Sequence, residues 1–112
     1  MKVAIEDTAM PKFVRVARVS DIPDQSGRCI EVEGCRIALF NVNGQFYAID
    51  DECTHEGGPL SDGHLHGEEV ECPWHGARFN IKSGRVTLDP AEADVATYNL
   101  RISGEDIEIE IY

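Results

Sequence analysis

The chain has 112 residues and 42% hydrophobic content, one domain's worth of sequence with enough apolar material for a core. Ten Lys and Arg face 21 Asp and Glu, a formal charge of −11. That balance argues against nucleic acid or an anionic membrane as partner, because both are held by basic patches. No apolar run approaches the ~20 residues of a membrane span. The charged start Met1-Lys2-Val3-Ala4-Ile5-Glu6-Asp7 has no signal-peptide core. A cytoplasmic protein is therefore expected, with Cys29, Cys35, Cys53 and Cys72 as thiols or metal ligands rather than disulfides.

In chain order, residues 1–10 read as an N-terminal extension and residues 11–112 as a single all-β domain. Phe13 to Val19 is short and β-branched. Arg28 to Val32 and Arg36 to Phe40 are strand-like runs around the turn Glu33-Gly34. Gln45 to Ile49 follows Asn43-Gly44, a strong two-residue hairpin signal. Asp89 to Val95 reads as a loop or a single helical turn. Ala96 to Ile102 and Ile107 to Tyr112 flank Ser103-Gly104-Glu105, and the last run alternates, with Ile107, Ile109 and Ile111 on one face and Glu108 and Glu110 on the other.

The middle of the chain follows another rule. Residues 51–84 hold most of the glycines, all four histidines, the single Trp and two of the cysteines, with little hydrophobic alternation. A segment so poor in core residues needs another source of order, and a bound metal centre supplies one. Cys53-Thr54-His55 and Cys72-Pro73-Trp74-His75 each pair a thiol with an imidazole, and sixteen residues separate His55 from Cys72. Each pair is followed by glycine, Gly57-Gly58 in one case and Gly76 in the other. Brought together, the two loops offer two sulfurs and two nitrogens. That set suits a mixed-ligand [2Fe–2S] centre or a zinc ion, although zinc sites commonly place their two cysteines close together and their two histidines close together.

On these motifs, and on Gly58-Pro59-Leu60-Ser61-Asp62-Gly63 and Gly76-Ala77-Arg78-Phe79 beside them, residues 11–112 resemble the Rieske-type ferredoxins of bacterial ring-hydroxylating dioxygenase systems. The resemblance implies an antiparallel β-sandwich base with a small cluster-binding subdomain inserted at about residues 51–84. It implies one [2Fe–2S] cluster per chain, with Cys53 and Cys72 on one iron and His55 and His75 on the other. The function implied is one-electron transfer from a flavoprotein ferredoxin reductase to a terminal oxygenase, with no substrate chemistry in the chain itself and a monomeric state.

Quinol-oxidising relatives carry an extra cysteine in each ligand loop and hydroxyls beside the cluster. The matching positions here are Gly58, Trp74, Ala77 and Phe79, which exclude that disulfide and those donors. Fewer donors and a negative chain both disfavour the reduced cluster, so a potential at the low end of the roughly −150 to +300 mV Rieske range is expected. Two other functions stand beside this one, the Rieske-like small subunit of an assimilatory nitrite reductase and a zinc-bound interaction module. A terminal oxygenase is excluded by length, since only His64 and His66 remain for a second iron.

Bland readings apply elsewhere. His64 and His66 are expected as exposed loop residues, Cys29 and Cys35 as buried thiols, and Trp74 as a cover over the cluster. Pro90 is expected in a shielding loop, and the acidic C-terminal strand as a docking face or an ordinary solvated edge.

Overall fold

The computed structural model describes residues 12–89, 91 and 93–111. The expected extension at residues 1–10 and the shielding role of Pro90 lie outside them. Ten strands follow in order: β1 (Lys12–Arg18), β2 (Ser26–Val32), β3 (Cys35–Val42), β4 (Gln45–Asp50), β5 (His64–His66), β6 (Glu69–Glu71), β7 (Arg78–Asn80), β8 (Val86–Leu88), β9 (Leu100–Ser103) and β10 (Asp106–Ile111). They form three antiparallel sheets, ordered β1-β10-β9, β2-β3-β4 and β5-β6-β7-β8.

The middle sheet organises the rest. Its centre, β3, is buried on both faces over most of its length, as a central strand must be. Ile37, Leu39 and Ala48 face one way and pack with Ile107 and Ile109 of β10. Ala38, Phe40, Val42 and Ile49 face the other way and pack with Cys53, Leu60, Val70, Cys72, Phe79 and Ile81. One strand thus serves two cores, one for the base and one for the small four-stranded sheet. The glycine-rich middle is not without a core; it borrows one from β3 and β4.

The turns are those the sequence announces. Asn43 (φ 56°) and Gly44 (φ 85°) join β3 to β4, and Glu33 (φ 49°) and Gly34 (φ 86°) join β2 to β3, each as a two-residue turn with both residues left-handed. Residues 96–98 run beside β4, with Tyr98 N–H on the Ala48 carbonyl at 3.0 Å and Asp50 N–H on the Ala96 carbonyl at 3.0 Å, and then enter β9.

Two expectations are corrected. The acidic strand β10 is not an edge, because β1 pairs with it from the far end of the chain. Its glutamates are engaged, Glu108 with Arg101 Nε at 2.6 Å and Glu110 with Asn99 Nδ2 at 2.6 Å. Cys35 is exposed and Cys29 half-buried, because Cys29 lies on β2, an edge strand of its sheet, and Cys35 begins β3 at the turn. Their positions on paired strands put them on opposite faces, and both are free thiols. Of the two readings of Asp89 to Val95, the described residues take the loop.

Candidate metal centre

Both cysteine–histidine loops close in the same way. Cys53 N–H donates to the Gly58 carbonyl at 2.9 Å and Gly57 N–H returns to the Cys53 carbonyl at 2.8 Å. Cys72 N–H donates to the Ala77 carbonyl at 2.7 Å and Gly76 N–H returns to the Cys72 carbonyl at 3.1 Å. The return bond needs a left-handed residue four places after the cysteine, and Gly57 (φ 82°) and Gly76 (φ 81°) supply it without Cβ strain. The turn Asn80 to Arg85 repeats the pattern, with 2.8 Å for both backbone bonds and Gly84 at φ 79°. There the Asn80 side-chain oxygen takes the amides of Lys82 and Ser83, each at 2.9 Å. In the first loop the Cys53 sulfur sits in the equivalent place, 3.5 Å from the His55 amide.

The two loops meet. Cys53 and Cys72 are both buried, each 3% exposed, and their thiols are neighbours. A methyl placed on Gly58 would stand 2.7 Å from the Cys72 sulfur and 3.0 Å from the Trp74 ring, so Gly58 is the point of contact between the loops. His55 and His75 lie outside the sulfurs, exposed, with ring centroids 5.1 Å apart and planes at 84°. The sequence-predicted residues therefore come together as a buried sulfur pair beneath an exposed imidazole pair.

Burial pushes the Cys53 thiol above its usual range; the neighbouring Cys72 adds to the rise while the His55 and Glu56 amides oppose it. A buried thiol that resists ionising, as Cys53 does, is unsuited to nucleophilic work. Bound to a cationic iron pair, both sulfurs would be held as thiolates. The donor set, two soft sulfurs and two imidazoles, fits a mixed-ligand iron–sulfur centre.

Glu56 is a member of this cluster that sequence reasoning passed over. Its carboxylate and the nitrogens of His55 and His75 lie within 4.8 Å of one another, and its Oε1 is 3.4 Å from His75 Nδ1. The only signal in the sequence was its place directly after His55. One further expectation changes. His64 and His66 are exposed but stand on strand β5 rather than in a loop, because Leu65 between them packs on the core. His66 Nε2 lies 2.8 Å from Glu71, and together with Arg78 it holds that carboxyl below its ordinary range. Trp74 is 56% exposed, and its ring rests against Gly58 beside the Cys72 sulfur.

Across from the first loop, the Thr54 hydroxyl donates to the Ala93 carbonyl at 2.6 Å. Asp94 Oδ1 takes the Val86 amide at 2.9 Å, and Val95 N–H donates to the Gly84 carbonyl at 2.9 Å. The described part of the 89–95 segment is thereby tied against both the site and β8.

A buried sulfur pair beneath an exposed histidine pair, on a β-sandwich base, defines a small iron–sulfur protein of mixed ligation. The chain belongs to the Rieske [2Fe-2S] domain family, whose model matches residues 12–99. It is 36% identical over 100 residues to the ferredoxin component of the naphthalene 1,2-dioxygenase system of Pseudomonas aeruginosa, spanning 89% of this chain and 96% of that one. It is 40% identical over 94 residues to the 3-phenylpropionate/cinnamic acid dioxygenase ferredoxin subunit of Shigella boydii, spanning 83% and 88%. Among solved structures, the ferredoxin in a complex of reduced oxygenase and oxidised ferredoxin of carbazole 1,9a-dioxygenase matches with a TM-score of 0.82 and 30% identity, spanning 87% of this chain and 91% of that one. The all-β Rieske fold expected from the sequence is thus present, and the family's cofactor is one [2Fe–2S] cluster.

Proposed function

We propose that this chain is a one-electron carrier in an aromatic-ring dioxygenase system, taking electrons from a flavoprotein reductase and delivering them to a terminal oxygenase. The observation that carries the proposal is the layered site, sulfurs buried and imidazoles exposed. On this reading Cys53 and Cys72 hold the inner iron, and His55 and His75 hold the outer one. The cluster supplies a one-electron couple. The chain's own residues seal its sulfur side from water, close both ligand loops through Gly57 and Gly76, and leave the histidine side open to a docking partner.

The surroundings support a carrier rather than an enzyme. Flanking the ligand loops are open clefts of about 510 and 610 Å³, lined by Asp50, Glu52 and Glu56 on one side and by Asp62, His64 and Trp74 on the other. These are shallow and acidic, suited to a basic protein surface and not to an apolar ring substrate. Relatives named for naphthalene, phenylpropionate and carbazole systems share this fold, consistent with a carrier that never touches the substrate.

Residues 11–112 form the working domain in this proposal, with the cluster-binding part at about 51–84 and residues 1–10 outside it. The carrier acts as a monomer in the cytoplasm, where Cys29 and Cys35 stay reduced. No helix among the described residues is long and apolar enough to cross a membrane.

The test is reconstitution. With a ring-hydroxylating system's flavin reductase and terminal oxygenase, the purified protein should couple NADH oxidation to ring dihydroxylation. Cys53→Ser and His75→Ala variants should abolish the coupling. A protein that copurifies with a siroheme enzyme and accepts no electrons from a flavin reductase would contradict the proposal.

A further inference from the structure

The two ligand loops stand on unequal foundations. Beneath the second loop, β6 and β7 form a regular ladder, with Glu71 opposite Arg78, Val70 opposite Phe79 and Glu69 opposite Asn80. Beneath the first loop there is one isolated bridge, Glu52 opposite Pro59. The next rung down joins one backbone bond to one made by a side chain. Asp51 Oδ1 accepts the Ser61 N–H at 2.8 Å, and the Asp51 carbonyl accepts the Leu60 N–H at 2.7 Å. The same residue is pinned to the middle sheet, its N–H on the Arg36 carbonyl at 3.1 Å and its Oδ2 3.2 Å from Arg36 Nη2.

Asp51 is 1% exposed and stands two residues before Cys53. A buried carboxylate is a costly way to close a loop, since it must leave water and find a counter-charge. Arg36 is that counter-charge, an exposed side chain on β3 reaching the buried one. The half-buried Cys29 sulfur lies 3.8 Å from the same guanidinium nitrogen. Nothing in the packing of Leu60 alone demands a charge at position 51. The carboxylate is explained by the amide it captures.

We infer that Asp51 is the positioning residue of the first ligand loop, clasping both ends of residues 51–61 so that Cys53 and His55 are held in place by a side chain where the second loop uses a strand ladder. Arg36 completes the clasp. The consequence for Cys53 and His55 rests on the ligand assignment proposed above; the clasp itself does not.

Two variants separate this from general stabilisation. Asp51→Asn keeps an oxygen where the Ser61 amide needs it, and Asp51→Ala removes it. Hydrogen–deuterium exchange by mass spectrometry on the full chain as isolated compares residues 51–62 with residues 70–80 as internal reference. In Asp51→Ala, exchange in 51–62 should rise ~10-fold or more while 70–80 stays within about twofold, and Asp51→Asn should recover most of the protection. Chelator extraction of iron from the holoprotein should follow the same order. The EPR lines of the reduced protein should broaden in Asp51→Ala and keep the parental shape in Asp51→Asn.

Parental exchange and iron release in Asp51→Ala would overturn the inference, as would an Asp51→Asn variant as impaired as Asp51→Ala. If Asp51→Ala does not fold, Arg36→Met decides, because it leaves the Ser61 bond in place and removes its counter-charge. It should speed iron release several-fold with no change in residues 70–80, and parental behaviour would overturn the clasp. If the chain binds no iron at all, the ligand assignment fails while the exchange comparison still judges Asp51.

Discussion

Gly58→Ala separates a steric demand of the metal centre from the ordinary cost of a strained turn. The added methyl would stand 2.7 Å from the Cys72 sulfur and 3.0 Å from two atoms of the Trp74 ring. Ordinary contact for such pairs is about 3.5–4.0 Å, so the new carbon is roughly an ångström too close to a sulfur. The Trp74 ring is exposed and can swing away; on the proposed ligation, the buried Cys72 sulfur cannot move without changing its bond to iron. Overpacking of this kind costs about 1–3 kcal/mol in an unliganded core. At roughly 4–8 °C per kcal/mol for a small domain, melting of the variant should fall by about 4–24 °C.

Gly76→Ala is the control. Its φ of 81° costs an alanine about 1–2 kcal/mol, but the nearest atom to its new methyl is a Glu71 oxygen at 3.7 Å. Iron and acid-labile sulfide per chain, measured beside the melting curve, should show Gly58→Ala losing most of its cluster and Gly76→Ala keeping it. A Gly58→Ala protein with full iron and parental melting would refute the account of how the loops meet.

Further outcomes follow from the same geometry. Ala77 and Phe79 are fully buried beside the ligand loops, and Ala77→Ser or Phe79→Tyr should raise the midpoint potential; one new hydrogen bond of about 1 kcal/mol to the reduced cluster corresponds to about 40 mV for one electron. Thr54→Val removes the 2.6 Å bond to the Ala93 carbonyl and should speed amide exchange at Val95 by about tenfold with little change in β10. Burial and the 2.5 Å bond to Asp50 raise the Tyr98 hydroxyl above its usual value. The folded state thus prefers the protonated phenol, and its contribution is complete below about pH 10, the unfolded value, and is lost as pH rises above that. Urea melts of Tyr98→Phe against the parent should show a weaker protein at neutral pH and a flatter loss of stability in alkali.

Much of this molecule is local and therefore legible. The Asn43-Gly44 and Glu33-Gly34 turns, the alternation of Ile107 and Ile109, and the glycines after each cysteine–histidine pair announce themselves within a few residues. What was missed depends on partners distant in sequence. The acidic strand β10 is central only because β1, more than ninety residues earlier, pairs with it. His64 and His66 looked like loop residues because a three-residue strand leaves one inward side chain, Leu65, to betray it. Asp51 passed as one more acidic residue in an acidic chain, since its value lies in Ser61 on one side and Arg36 on the other. Glu56 hid for a related reason, its neighbour in space being His75 on the other loop.

The most direct test of the central claim, a low-potential Rieske carrier, is an EPR-monitored redox titration of the purified protein. The account predicts a Rieske-type signal that appears on one-electron reduction with a midpoint near about −150 mV. A protein with no iron signal, or one titrating near about +300 mV, would contradict it.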